Sequence, residues 1–372
     1  YVLLMTFFYP LIVDKFSFLY TFLLIVIIAS SSFAQYFFGI SYSLLITADQ
    51  RQYITYFVNG GTLIINLVLS FVLIRMGCSI HIVKLLSAVI FIIRPLYYTI
   101  YVKKHYKINK HISYDAEPIK QKWNGVAQHL AYSVQEKAGF IILSVMSTLE
   151  VVSVYSVYFL ITGGLRAFVY SVTSGLTSYF GNILAKGEKD ILLSNFEKIE
   201  WTLHTITIVV FSSAAVLILP FVSIYTKGIN DANYLVSFFP YLMCAVFGFR
   251  CLQLPYIIVV QAAGHFKETQ NSAILELFIN IAISLLLVKE YNLSGIATGM
   301  LVSIIYRMMY LSLYLTKHIL FTSKLLLLKR LVVDLILVVA IVLPCSFFRL
   351  KQLTYASWAT MAIEVTFCAI AI

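Results

Sequence analysis

Arg94, Glu136, Lys137, Arg166, Arg250, Glu276 and Arg307 all stand within long apolar runs of this 372-residue chain. A charge at the centre of a bilayer costs at least about 2.5–3.5 kcal/mol on insertion scales, so each of them needs a partner or a task. The chemistry they suit is anion binding, because the planar guanidinium fork matches two phosphate oxygens at once. On that reading they line a hydrated cavity, with Asn280 one turn beyond Glu276. Arg166, in TGGLRAFVYS, and Arg250, in FGFRCLQLP, lie far from the ends of their runs and are the strongest cavity candidates. Arg94 and Arg307 have an equal claim as residues that snorkel or pair helices. Glu136 and Lys137 are neighbours, hence about 100° apart on a helix, and should bond to other helices rather than to each other. His129 reads as an interfacial side chain. Asp334, four residues after Arg330, suits a local ion pair on one helix face. The sequence holds no Ser-His-Asp set, no metal-spaced His/Asp cluster and no Gly-rich loop with lysine. An enzyme is therefore not expected, nor any cofactor besides a coupling ion, H+ or Na+.

Membrane helices must position these side chains. Hydrophobic residues make up 61% of the chain and charged ones 12%, with a mean hydropathy of +0.91. Soluble domains are about 45–50% apolar and about 25% charged. Apolar runs near the roughly 20 residues that cross a bilayer recur from end to end. Phe (28) and Tyr (26) crowd the ends of these runs, as at lipid–water boundaries. The chain is read as an all-α polytopic protein of about twelve segments: 1–13, 17–47, 54–75, 80–102, 127–148, 152–184, 202–225, 233–261, 271–288, 294–316, 329–347 and 355–372. The first and last read as partial, as if the chain were cut at both ends. The pairs Gly60-Gly61 and Gly163-Gly164 lie inside spans, where small residues allow close contact or a bend. The five cysteines have neither metal-ligand nor disulfide-framework spacing.

The net charge of +11 belongs to the loops rather than to a nucleic-acid surface. The longest polar stretch, 103–125, carries Lys103, Lys104, Lys107, Lys110, Lys120 and Lys122, and so is placed in the cytoplasm. Alternation puts Arg51, 186–200, 265–270 and 317–330 on the same side. The opposite loops are short and leave little room for an external catalytic domain.

One sentence of the sequence is written twice. RPLYYTIYVKKHY from Arg94 and RMMYLSLYLTKHI from Arg307 match at Arg94/Arg307, Tyr97/Tyr310, Tyr101/Tyr314, Lys104/Lys317 and His105/His318. On the preceding helices Ala48 faces Ala262, Asn66 faces Asn280 and Ser70 faces Ser284. Steps of three, four and three residues keep the motif on one helix face. An even number of crossings separates the copies, so both halves face the same way. Parallel repeats of this kind mark transporters that hold substrate between their halves.

Three stretches carry a family likeness: the turns ITADQRQYI (46–54) and QAAGHFKET (261–269); ILELFINIAISLLLVKEYNLSGIATGMLVSIIYRMMYL (274–311); and GNILAKGEKD after a long helix. In these the chain resembles the Wzx-type polysaccharide flippases of the MOP superfamily, which also holds MATE multidrug exporters and the lipid II flippase. The resemblance implies two pseudo-repeated helical-bundle lobes. They would comprise 1–102 (lacking two spans), a linker over 103–125, a second lobe over 126–320, and two extra helices over 325–372. It implies alternating-access export of undecaprenyl-pyrophosphate-linked oligosaccharide across a bacterial inner membrane. Its partners would be the polyprenyl-linked glycan, the bilayer and glycan polymerase machinery. A drug exporter of the same fold, or a membrane-embedded polymerase or acyltransferase, are the alternatives. Basic residues outnumbering acids within the spans favour an anionic substrate.

Overall fold

The computed structural model describes residues 17–108, 121–173, 175–322 and 324–372, and all the regular structure in them is helical. The chain divides into two compact units, Tyr1–Ala116 and Glu117–Ile372.

In the first unit, α1 (Phe18–Ala34) passes through a π-helical turn (Gln35–Gly39) into α2 (Ile40–Ala48), and α3 (Gln52–Arg75) and α4 (Ile80–His105) follow. The Ser17 side chain caps α1 by accepting from the Tyr20 amide. The π turn lies against the proline of α4: a Cβ on Gly39 would stand 3.0 Å from the Pro95 Cβ. The helices reverse through residues with positive φ, Gln50 (58°) and Gly77 (75°).

The second unit contains α5 (Lys122–Met146), α6 (Leu149–Val172), α7 (Leu176–Lys186), α8 (Lys189–Tyr225), α9 (Phe239–Leu252), α10 (Leu254–Ala262), α11 (Phe266–His318), α12 (Lys324–Cys345) and α13 (Tyr355–Ala371). Its core stacks Tyr155, Tyr158, Phe239, Phe247, Met243, Ile296 and Ile304. Although continuous in hydrogen bonding, α11 is a hairpin: Asn292 (φ 45°, ψ −117°) reverses it into two arms. Gly295 and Gly299 then press the arms together. A Cβ on Gly295 would lie 2.6 Å from the Leu287 carbonyl, and one on Gly299 would lie 2.8 Å from the Ser284 amide nitrogen. This is the small-x3-small device that brings helices close in membranes. α12 and α13 pack on α8 through Ile341, Cys345, Met361 and Val365, and the Trp358 indole donates to the Leu217 carbonyl at 3.2 Å.

Among the described residues, seven helices are long and apolar enough to cross a membrane, including Phe18–Ala48, Phe239–Ala262 and the whole of α11. The difference from twelve has physical reasons. The predicted span 1–13 lies outside the described residues. The α11 hairpin joins 271–288 to 294–316. α5 is too polar along one face, α12 carries Lys329, Arg330 and Asp334 within its 22 residues, and α13, at 17 residues, is short.

The segment 152–184 stays one membrane-length stretch, Leu149–Lys186, kinked at Gly175 (φ 79°) between α6 and α7. Other expectations change. The stretch 186–200 is mostly not a loop: after the left-handed Gly187 closes α7, α8 starts at Lys189 and runs straight into the membrane-length stretch. Gly60, Gly61, Gly163 and Gly164 meet no described atom within 4 Å of a built Cβ, so they mark no close helix contact. Arg330 reaches Glu197 and Glu200 on α8, while Asp334 bonds His204 at 2.7 Å, so the expected local pair is replaced by two contacts across helices. All five cysteine thiols are free.

Candidate functional site

The two copies of the doubled motif build the same local frame, one in each unit. Tyr97, Tyr101 and His105 stack in series, with centroids 6.4 and 4.1 Å apart; Tyr310, Tyr314 and His318 do so at 6.2 and 4.5 Å. Each terminal histidine is held by the carbonyl one turn back, His105 on Tyr101 and His318 on Tyr314. The turn that faces the ladder is also repeated. Asp49, Gln50 and Arg51 amides donate to Leu45, Thr47 and Ile46 carbonyls; Ala263, Gly264 and His265 amides donate to Val259, Gln261 and Val260. Gln50 and Gly264 take the positive φ in equivalent places (58° and 73°). From the next position, Arg51 donates to the Tyr101 hydroxyl at 3.3 Å, and His265 Nδ1 meets the Tyr314 hydroxyl at 3.0 Å. The hydrogen bond to Tyr101 pushes the Arg51 guanidinium pKa upward.

Above the ladder the arginines diverge. Arg94 donates through Nε to Thr62 (2.7 Å) and through its terminal nitrogens to Gln35 Oε1 (3.3 Å) and the Asn59 carbonyl (3.4 Å). It pairs helices rather than snorkelling, and its described partners are all neutral. It lines a cavity of about 450 Å³ with Ser43, Thr47, Thr55, Asn59 and Tyr98. Arg307 is buried and donates to the Thr269 carbonyl at 2.9 Å and to the Ser272 hydroxyl. Its Nε lies 3.8 Å from Glu276 Oε2.

Glu276 is the centre of the second unit's cluster. Only 5% exposed, it also receives Arg250 (3.1 Å) and the Gln135 amide (2.9 Å) on Oε1. Gln135 donates onward to the Ser303 hydroxyl at 3.2 Å. Glu276, Arg250 and Arg307 stand at the inner end of a cavity of about 550 Å³ that reaches outward to Gln261 and Phe266, near the turn. Gln128, His129, Tyr132, Tyr170 and Gln253 complete its polar lining. Ten residues separate Phe266 from Glu276, so the carboxylate lies about 15 Å along its helix from the mouth.

Arg250 and Arg307 are thus brought together with Glu276, while the other candidates fall elsewhere. Arg166 is closed by Glu136 at 2.5 Å and by the Tyr132 hydroxyl at 3.3 Å, with its plane over Phe247. It meets the cavity wall through Tyr132 and through Tyr170, whose ring centroid lies 5.6 Å from its guanidinium. Lys137 is exposed and rests over Phe159 at 5.8 Å. Glu136 and Lys137 thus turn away from each other, yet both contacts fall on the same neighbouring helix, α6. Asn280 is buried one turn inward, accepts from Ser284 and leaves its Nδ2 without a hydrogen-bond partner among the described residues.

The polar face of α5 is a feature the charges alone concealed. Gln121, Asn124, Gln128 and Gln135 recur at helical spacing and bond in turn to the Lys267 amide, Gln270, Thr269 and Glu276. Polar residues three, four and seven apart in a membrane-length segment were the available signal.

No protein-family model matches the chain, and no curated protein matches it.

Proposed function

We propose that the chain is part of a transporter that moves a lipid-linked, anionic oligosaccharide across a bacterial cytoplasmic membrane by alternating access between two repeated lobes of some twelve segments. The observation that carries this reading is the second unit's cavity, which ends on two buried arginines sharing one carboxylate. An excess of cationic charge inside a membrane-length helix bundle suits a ligand bearing a diphosphate. The polar lining of Gln128, Tyr132, Gln253 and Gln261 suits hydroxyl-rich sugar beside it. The repeated ladder and turn support a two-lobed arrangement of the kind that transporters use. A site for cationic drugs would call for the opposite balance of buried charge. The chemistry is positioning, with no bond made or broken, so the protein is not an enzyme on this reading. Glycan polymerase machinery would take the product on the far side.

The test replaces Arg250 and Arg307 together by Gln in the full-length protein. Surface glycan is expected to fall at least about tenfold, since hydrogen bonds to charged groups are each worth about 1.5–3 kcal/mol. The protein should still fractionate with the membrane. Undiminished glycan with both arginines gone would remove the basis of the reading.

A further inference from the structure

Within the cavity of the second unit, Glu276 does the work that a ligand would otherwise do. Arg250 contacts its Oε1, Arg307 stands against its Oε2, and the carboxylate lies between them at the closed end of the space. Two cations held by one anion leave one positive charge uncovered. A diphosphate diester carries two negative charges and wants both guanidinium groups. It cannot take them while the carboxylate is ionised, because the anions would meet in a poorly solvated place.

We propose that Glu276 is an exchangeable counter-ion whose protonation releases Arg250 and Arg307 to the diphosphate of the substrate, so that each anion bound brings one proton with it. This rests on the reading of the substrate as a lipid-linked diphosphate. The balance is simple. One proton from water goes to Glu276, two ion pairs break, and two form to the ligand. The neutral carboxyl group then both donates and accepts. Its neighbours suit either state. The Gln135 amide can rotate between donating nitrogen and accepting oxygen, and that oxygen is buried without a partner among the described residues.

The other charged and titratable groups around the site include the Cys251 thiol of α9, buried beside Arg250. From α6, Arg166 is engaged by Glu136 of α5, and Tyr170 lines the cavity wall. From α5 come Tyr132, under the Arg250 guanidinium at 5.3 Å, and His129, which is exposed at the cavity edge. From the second arm of α11 come Tyr306 and Tyr310 beside Arg307. Glu276 is the carboxylate in contact with both arginines that end the cavity, and His129 is the rival proton acceptor.

The experiment uses the full chain in lipid nanodiscs. The probe is a farnesyl diphosphate ester of N-acetylglucosamine, a diester that lacks the second ionisation which gives phosphomonoesters a pKa of about 6. Calorimetric titration in buffers of different ionisation heat counts protons taken up per probe bound. Where Glu276 is ionised in the free protein, uptake should approach one proton and affinity should fall about tenfold per pH unit. Glu276→Gln should bind with no linked proton and with a flat pH profile, whereas His129→Gln should keep the linkage. Binding by the native chain without proton uptake overturns the proposal while leaving the substrate reading intact, and that measurement needs no variant. Linkage that survives in Glu276→Gln, or is lost in His129→Gln, overturns it as well. If neither the native chain nor Glu276→Gln binds the probe at any pH while both unfold cooperatively on heating, the substrate reading itself fails and this proposal with it.

Discussion

Arg94 and Arg307 occupy equivalent places in two three-helix frames, yet Arg94 donates to a hydroxyl, an amide and a carbonyl while Arg307 faces a carboxylate. The frames agree in their turn hydrogen bonds, in their stacked Tyr-Tyr-His ladders and in the irregular first helix, a π turn at Gln35–Gly39 in one and a break at Gln253 in the other. They differ at two positions that set the charge: Thr62 stands where the other copy has Glu276, and Tyr36 where it has Arg250. The first frame therefore keeps a full positive charge among its described residues, in a polar cavity. The second has two arginines, one of which is neutralised for as long as the carboxylate stays ionised. The two frames share one scaffold; the second adds Arg250, and its charge balance turns on a single acid, Glu276.

Removing that residue should give the largest effect. Glu276→Ala leaves Arg250 and Arg307 buried side by side without an acid, a loss of about 3–5 kcal/mol for a broken buried pair. Thr62→Val removes one acceptor from Arg94 and should cost less, about 1–3 kcal/mol. Thermal unfolding of the purified variants in one detergent measures both. Equal losses would mean that the two arginines are held alike and that the contrast has no energetic content.

Supplying the missing acid sharpens the contrast from the other side. Thr62→Glu gives Arg94 the partner that Arg307 already has. If Arg94 takes part in holding the anion, affinity of the full chain for the diphosphate diester should fall about tenfold, equivalent to about 1.4 kcal/mol. An unchanged affinity would confine Arg94 to joining α1, α3 and α4, and would place the anion contacts in the second unit alone.

Much of this frame was legible in the sequence, because the doubled motif fixes which face of each helix is repeated. The pairs Asn66/Asn280 and Ala48/Ala262 give the alignment in which Thr62 meets Glu276 and Arg51 meets His265. What the sequence hid was the third dimension. Arg166 looks as isolated as Arg250 along the chain, but only packing shows that Glu136 closes it at 2.5 Å. Arg330 and Asp334 have ideal spacing for each other, yet helix α8 offers both a buried alternative in Glu200 and His204. The Asn292 reversal was unexpected in detail as well, because a positive φ at asparagine leaves little trace beyond a short polar gap.

The smallest effect tests whether the repeated turn is a working clasp or only shared ancestry in shape. Tyr314→Phe removes the hydroxyl that meets His265 Nδ1, and Tyr101→Phe removes the one that accepts from Arg51. The stacked rings remain in both variants, so what is lost is one exposed or half-buried hydrogen bond each. For Tyr314→Phe that is about 0.5–1.5 kcal/mol. The solvated Arg51 side chain can replace its lost partner with water, so Tyr101→Phe should do less. Amide hydrogen exchange reads the outcome locally. The Ala263, Gly264 and His265 amides should exchange faster in Tyr314→Phe, by about tenfold or less, with a smaller change at Asp49, Gln50 and Arg51 in Tyr101→Phe. If exchange rises equally in both turns, the two clasps are equivalent and the asymmetry of the frames begins above them, at Thr62 and Glu276. If neither turn responds, its backbone hydrogen bonds alone hold the geometry, and the tyrosines serve the ladder.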